Sequence, residues 1–150
     1  MKEFDLIVVG AGSGLYVASG YANRGNDVAV IEPGPLGGTC LNRGCIPSKM
    51  LIHRADVAEE IRGSEKFGVE AEINDIDFNS IIEEINSEVS SDAENIRKGL
   101  ENSDRYTLYQ EEAEFVDKKL IEVGDEQITS EKIVVAAGSR SFIPPIDGLD

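Results

Sequence analysis

A glycine-rich turn between an apolar strand and a helix constrains this chain more than any other feature. The run from 4 to 9 is apolar and rich in β-branched residues, and it leads directly into Gly-Ala-Gly-Ser-Gly at 10–14. A helical stretch follows over 15–24, and a second short apolar strand follows over 28–31. A strand, a helix and a strand at this spacing predict a βαβ unit with a parallel sheet, which is an α/β fold.

The turn has the chemistry of a dinucleotide site. Glycines permit a tight turn and let backbone N–H groups approach a pyrophosphate, and the partial positive charge of a helix N-terminus favours that anion. We therefore predict cofactor contacts from four residues of the turn: Gly10, Gly12, Ser13 and Gly14. Glu32 ends the second strand about 20 residues later, where a carboxylate can accept hydrogen bonds from both ribose hydroxyls. The alternative is a glycine-rich turn in an ordinary α/β protein.

Leu15 departs from this pattern, because glycine or alanine usually stands at this third position. That small residue normally lets the helix pack close to the strand. Leucine here calls the local packing into question, but not the turn itself.

The rest of the chain is predicted to combine two longer helices with short strands. Residues 33–38 are a loop, and one helical pattern then runs through 46–61 and ends at Gly63. A second helix follows the i, i+3, i+4, i+7 pattern over 78–100, with Asp77 as its N-cap and Gly99 at its end. Strands are predicted at 106–109, 114–116, 120–123, 127–129 and 133–136, of which the middle three form a small antiparallel meander.

Cys40 and Cys45 are the only cysteines in the chain. In a regular helix, Cα atoms five residues apart are separated by roughly 9 Å, whereas a disulfide requires about 4.4–6.8 Å. A bridge therefore requires an irregular helix start, which Gly44 and Pro47 would permit. So short a loop gains little stability from closure, and thiolates near a helix N-terminus have lowered pKa values, so we predict redox chemistry. Zinc is the alternative, but without a second cysteine pair or a nearby histidine we expect no metal.

Residues 37–49, Gly-Gly-Thr-Cys-Leu-Asn-Arg-Gly-Cys-Ile-Pro-Ser-Lys, resemble the active-site segment of the pyridine nucleotide-disulfide oxidoreductases. The resemblance covers the whole chain and implies a Rossmann-like FAD-binding fold, with a parallel sheet, helices and the small meander. It implies FAD as the cofactor and NAD(P)H as a cofactor of the full-length protein. It assigns Cys45 to face the flavin as the charge-transfer thiol and Cys40 to exchange with the disulfide substrate.

The resemblance also assigns cofactor contacts outside the first turn. Gly38 and Thr39 would line the FAD, and Lys49 would lie near the flavin ring and pair with a glutamate from later in the chain. Residues 133–140 resemble the family's second flavin-contacting strand, which usually ends in Ala-Thr-Gly. Ala137 and Gly138 are therefore expected at the cofactor, and Ala137 offers no hydroxyl where the family usually has threonine. His53 is expected to have no catalytic task, because the family's base histidine comes from the partner subunit.

The implied activity passes electrons between NAD(P)H, FAD, a Cys40–Cys45 disulfide and a small disulfide or dithiol. Dihydrolipoyl dehydrogenase is the first expectation, because it is the commonest activity with this segment. A mycothione-type or other low-molecular-weight thiol reductase is the second, favoured by Leu15 and Ala137, and mercuric reductase is the third. An FAD-binding module without turnover, or a structural domain with incidental cysteines, would be a function of another class.

Family chains are considerably longer, so this chain is expected to be a fragment that is inactive alone. Residues 1–143 would form the FAD-binding segment, and 144–150 would begin the linker to an absent NAD(P)H-binding domain. A homodimer is expected for the full-length protein.

Composition excludes several classes of protein. With 150 residues and 41% hydrophobic content, the chain can build one core and is not mainly disordered. Its net charge of -15 argues against nucleic acid, whose phosphates require basic patches. No apolar run approaches the roughly 20 residues of a membrane-spanning helix, and the start lacks the features of a secretory signal. We predict a cytoplasmic protein without a membrane partner, and the spread of acidic residues suggests a halophile-like surface.

Overall fold

The computed structural model describes residues 1–149, so Asp150, the last residue of the predicted linker, lies outside the described residues. In chain order the elements are β1 (Lys2–Glu3), β2 (Leu6–Val9), α1 (Gly14–Ala22), β3 (Val28–Ile31), α2 (Gly38–Arg43), α3 (Cys45–Arg62), a 3-10 helix (Ser64–Phe67), α4 (Phe78–Glu101), β4 (Tyr106–Tyr109), β5 (Ala113–Asp117), β6 (Leu120–Val123), β7 (Glu126–Thr129) and β8 (Ile133–Val135). Over residues 1–149, no helix combines the length and apolarity needed to cross a membrane.

Four parallel strands form the central sheet in the order β4-β3-β2-β8. This order confirms the predicted Rossmann-like α/β fold. The chain leaves β2 toward β3 and β4 on one side and returns to β8 on the other side. Val9, the last residue of β2, pairs with Ile31 of β3 and with Val135 of β8. The carboxyl ends of the three strands therefore meet where the strand order reverses, which is where open α/β sheets bind ligands.

The predicted meander is confirmed, and it gains a fourth strand that the sequence did not predict. β5, β6 and β7 are antiparallel, and β1 joins the edge of β7 in a parallel pairing. The sequence interpretation treated the apolar run as one strand from Phe4. In the structure, the N–H of Phe4 bonds to Thr129 in the meander, whereas the N–H of Asp5 bonds to Asp27 beside β3. The chain changes sheets between these two residues.

The central sheet is buried on both faces, which explains why its strands are continuously apolar. Alternate side chains point to opposite faces of a strand. Leu6, Val8, Val28 and Val30 face a core built with α1 and Leu100 of α4. Ile7, Ala29 and Ile31 face a second core with Ile121, Val123 and Ile128 of the meander. The domain is thus a layer of helices, the parallel sheet and the meander sheet.

Several predicted boundaries are corrected by one to a few residues. α1 spans Gly14–Ala22 instead of 15–24, β8 ends at Val135 instead of 136, and α2 occupies residues expected to be irregular. α4 continues past Gly99 to Glu101, because Gly99 keeps a right-handed helical backbone and does not end the helix. The Asp77 N-cap is confirmed, since its Oδ1 accepts a hydrogen bond of 2.9 Å from the Ser80 N–H.

Gly14, and not residue 15, is the small residue that lets α1 pack closely on the sheet. An ideal Cβ on Gly14 would lie 2.6 Å from Cγ1 of Val8 and 3.2 Å from Cβ of Ala136. The helix therefore packs closely on β2 and β8 one residue before the usual position. Leu15 instead packs its side chain against the helix-side core.

Gly14→Ala is expected to destabilise the domain by roughly 1–3 kcal/mol, because Val8 is fully buried and β-branched and cannot move aside. Gly20→Ala, in the same helix with open space around it, is the matched control and should stabilise by about 0.5–1 kcal/mol. Urea unfolding measures both free energies. Equal effects of the two substitutions would contradict the close-packing role of Gly14.

Candidate active site

Gly10 is the point where the glycine turn passes between the ends of β3 and β8. It adopts φ 103°, its N–H donates to the Ile31 carbonyl at 2.8 Å, and any Cβ would collide with the carbonyl oxygen of Ala136. That Cβ would also lie 2.9 Å from the backbone nitrogen of Ala137. Gly138 follows with φ 75°. The structure thus brings the predicted residues Ala137 and Gly138 to the same sheet edge as the glycine turn.

The backbones of Gly12 and Gly38 make a close contact between the glycine turn and the cysteine-bearing segment. An ideal Cβ on Gly38 would lie 2.6 Å from the Cα of Gly12, and Gly38 adopts φ 64°. Beside this contact, the N–H of Gly37 donates to the Ala11 carbonyl at 2.8 Å. The first turn of α2, with Gly38 and Thr39, therefore rests on the predicted dinucleotide turn. The two sequence motifs form one site.

Glu32, predicted to accept ribose hydroxyls, also binds the protein backbone. Its Oε2 accepts the N–H of Ala11 at 3.0 Å, and its Oε1 accepts the N–H of Gly34 at 3.0 Å. The side chain is half-buried at the end of β3. The bond to Gly34 spans only two residues of the chain, whereas the fold is needed to bring Ala11, 21 residues away, to the same carboxylate.

The predicted irregular helix start at the cysteines is confirmed. Gly44 separates α2 from α3 with φ -131° and ψ -110°, which are not helical angles. Cys40 lies within α2 and Cys45 is the first residue of α3, and both are exposed free thiols. Pro47 lies in the first turn of α3, where its missing N–H breaks no intrahelical bond.

The expected lowering of the thiol pKa is wrong for Cys40. The pKa of Cys40 is raised, first by the hydrogen bond with Cys45 and then by reduced hydration. Lys49, one turn after Cys45 on α3, acts in the opposite direction through its positive charge. The cause is the neighbouring thiol, which favours the protonated form of Cys40 more than the surrounding charges favour its thiolate.

Asn42 is a site residue that the sequence analysis missed. Its Nδ2 donates to the Leu36 carbonyl at 3.0 Å, to the Gly38 carbonyl at 2.9 Å and to the Pro35 carbonyl at 3.3 Å. It therefore closes the loop that leads into α2. The available signal was its position, since asparagine is disfavoured within helices unless its side chain bonds to nearby backbone.

His53 lies on α3 two turns beyond Cys45, about 12 Å along the helix axis. It lines a groove between α3 and α4 with Val57 and Ile81. Among residues 1–149, no cluster of three or more His, Cys, Asp and Glu side chains could hold a metal ion.

The glycine turn and the cysteine-bearing segment thus lie together at the switch point of the parallel sheet. The chain belongs to the pyridine nucleotide-disulphide oxidoreductase family, whose model matches residues 4–150. This confirms the resemblance found in the sequence. The family uses FAD and NAD(P)H as cofactors.

Similar proteins include two reductases from bacteria. The chain is 34% identical to mycothione reductase of Mycobacterium tuberculosis, over 97% of this chain and 33% of that protein. It is 38% identical to dihydrolipoyl dehydrogenase of Staphylococcus aureus, over 95% of this chain and 31% of that protein. The chain thus spans about a third of the length of these curated relatives.

The fold is also similar to a solved structure, the Cu(II) complex of the HOCl-induced flavoprotein disulfide reductase RclA from Escherichia coli. The TM-score is 0.80 at 28% identity, over 97% of this chain and 31% of that chain.

The glycine turn fits the pyrophosphate of FAD. The backbones of Gly10, Gly12 and Gly38 meet where a Cβ on any of them would approach another residue's backbone too closely. α1 begins directly after this turn, and a helix N-terminus favours an anion. The N–H groups of Leu15 and Tyr16 already donate to the carbonyls of Gly12 and Ser13.

We expect Cys45→Ala to lower the pKa of Cys40, because it removes the hydrogen bond that raises this pKa most. Alkylation of Cys40 at neutral pH should then be faster than in the reduced wild-type chain. Lys49→Gln should have the opposite effect, because it removes a charge that lowers the same pKa. The measurement is the pH dependence of iodoacetamide labelling at Cys40, read by peptide mass spectrometry. If both variants titrate as wild type does, the coupling between the two thiols is wrong.

Proposed function

We propose that this chain is the FAD-binding, dithiol-bearing segment of a flavin-dependent disulfide oxidoreductase. The observation that carries the proposal is the contact between Gly12 and Gly38, which sets the dinucleotide turn against the helix that bears Cys40. FAD would supply the means to pass two electrons between a nicotinamide and a thiol pair. The chain's own contribution is to bind that cofactor, to orient the two thiols and to exchange with the substrate.

The proposed cofactor contacts extend along one sheet edge. The pyrophosphate would lie on the N–H groups of the glycine turn, and Glu32 would accept the ribose hydroxyls. The full set of proposed contacts is Gly10, Gly12, Ser13, Gly14, Glu32, Gly38, Thr39, Lys49, Ala137 and Gly138. The proximity of Gly10 to Ala137 and of Gly12 to Gly38 supports this set, since the contacts converge from three segments of the chain.

The two thiols would act in sequence on a small disulfide. The thiolate of Cys40 attacks one substrate sulfur, so a mixed disulfide forms and one substrate thiolate leaves. The thiolate of Cys45 then attacks the sulfur of Cys40; the Cys40–Cys45 disulfide forms and the second substrate thiol leaves. Two electrons have passed to the substrate, and the electrons that restore the dithiol originate from NAD(P)H, the family's reductant. The effect of Cys45 on the pKa of Cys40 supports this order, because it indicates that the two thiols are neighbours.

Oxidised flavin added to the chain is expected to co-elute with it on gel filtration. Anaerobic reduction with a dithiol should then produce a new long-wavelength absorption band, because the Cys45 thiolate is proposed to face the flavin. Cys45→Ser should abolish this band, whereas Cys40→Ser, the matched control, should keep it. If flavin is bound but both variants keep the band, the assignment of the two thiols is wrong. If the flavin elutes free, this chain does not form the cofactor site by itself.

The proposed substrate is a small dithiol or disulfide, with dihydrolipoamide as the first candidate and a mycothione-type disulfide as the second. Leu15 and Ala137 favour the second, because both depart from the pattern of a typical dihydrolipoyl dehydrogenase. The site for NAD(P)H and the surface for homodimer formation are proposed to lie in the longer protein, beyond a linker that begins at 144. A cytoplasmic location is part of the same proposal.

The chain with FAD is expected to exchange thiols stoichiometrically but not to turn over NADH with lipoamide, because the nicotinamide site is proposed to lie elsewhere. Steady-state oxidation of NADH measures this directly, and unfolding controls show that the chain is folded. Turnover by the chain alone would contradict the module assignment.

In the longer protein, kcat/KM for lipoamide at least about tenfold above that for mycothiol disulfide would support the first substrate. Tenfold corresponds to a difference of about 1.4 kcal/mol in activation free energy.

A further inference from the structure

We propose that Glu32 is a positioning residue that joins the glycine turn to the loop and helix that carry Cys40. This role is additional to the ribose contact, and the redox part of it rests on the proposed function. The carboxylate bonds to both sides of the site at once: to the N–H of Ala11 in the turn and to the N–H of Gly34 in the loop, each at 3.0 Å.

Ala11 is the centre of this arrangement. Its N–H donates to Glu32, and its carbonyl accepts the N–H of Gly37 at 2.8 Å. Ala11 is fully buried, so neither peptide group can exchange these partners for water without opening the site. The next residue, Gly12, packs directly on Gly38. The Glu32 carboxylate therefore holds the glycine turn at Ala11, and the backbone contact between Gly12 and Gly38 holds the turn against the start of α2.

The loop between Glu32 and α2 has little freedom beyond these bonds. Leu36 is 1% exposed and anchors the loop in the helix-side core. Asn42 bonds to three carbonyl oxygens of the same segment. Gly34 lies near the start of the loop, and its N–H donates to the Glu32 carboxylate. Cys40 follows Gly34 by only six residues. A change in the position of Gly34 should therefore also displace Cys40, because the segment between them is short and held by hydrogen bonds.

The same carboxylate can hold the loops and a ribose together. An ionised carboxylate offers about four lone-pair sites, of which the two backbone N–H groups use two. The remaining sites can accept ribose hydroxyls without release of Ala11 or Gly34. Glu32 would thus be fixed before the cofactor arrives, and a ribose would meet an acceptor already in place.

Glu32→Gln tests this role in the reduced, cofactor-free chain. The glutamine amide offers one acceptor oxygen and an NH2 group, so only one of the two backbone N–H groups keeps its partner. Amide hydrogen exchange at Ala11, Gly34 and Gly37 should become at least about tenfold faster at one or more of these sites. Exchange in β2, β3 and α4 should not change, which separates a positioning effect from general destabilisation. Glu131→Gln is the matched control, because it removes the same charge from an exposed carboxylate, 82% accessible, in the connection between β7 and β8.

The redox consequence is measured by equilibrating the chain with glutathione buffers. Loosening of α2 should lower the effective concentration of Cys40 toward Cys45, so the bridge becomes roughly three- to tenfold easier to reduce, and tenfold corresponds to about 30 mV. Glu131→Gln should leave this equilibrium unchanged.

The outcomes separate the two proposals. Unchanged exchange at all three amides in Glu32→Gln overturns the positioning role, even if FAD binding is abolished. Faster amide exchange in Glu32→Gln together with an unchanged glutathione equilibrium overturns the proposed effect of Glu32 on Cys40. If the wild-type chain forms no bridge at all, the proposed redox function fails, while the exchange data still decide whether Glu32 holds the two loops.

Discussion

The contact between Gly12 and Gly38 is the constraint on which the rest of the site depends. Two backbones can approach this closely only when neither carries a Cβ, and Gly38 in addition adopts φ 64°. The contact lies where the strand order of the parallel sheet reverses, so it joins the proposed nucleotide-binding edge to the start of α2. The thiol of Cys40 is held near a dinucleotide turn because of it. The two packed cores on either face of the sheet keep this edge rigid.

Backbone N–H groups also explain how so acidic a chain could bind an anion. A chain with net charge -15 is proposed to bind a pyrophosphate, and its glycine turn would do so through peptide N–H groups and not through cationic side chains. The acidic surface can therefore coexist with an anion site. Lys49 is a cation near Cys40, and it lowers the pKa of Cys40 against the larger, opposite effect of Cys45. Glu32 places a negative charge at the same edge, with each of its oxygens held by a backbone N–H.

Local features of the sequence were sufficient to predict most of the secondary-structure elements. The strands at 28–31, 106–109 and 120–123 have the predicted bounds, because their apolar runs are short and end at turn residues. The Asp77 cap depends on groups three residues apart, so the sequence contains all of it. The break at Gly44 followed from disulfide geometry alone. The family resemblance of 37–49 added the cofactor and the roles proposed for the two cysteines.

Only the tertiary structure decided the features that join distant segments. β1 pairs with the meander because Phe4 and Asp5 bond to different sheets, and no local pattern records that change. Gly14 takes over the close packing because Val8 and α1 meet in space, not in sequence. The raised pKa of Cys40 and the double bonding of Glu32 likewise arise from neighbours that the fold supplies. The sequence by itself determined which residues can do nucleotide and thiol chemistry, whereas the fold determined how they are held together, because distances between remote segments depend on packing.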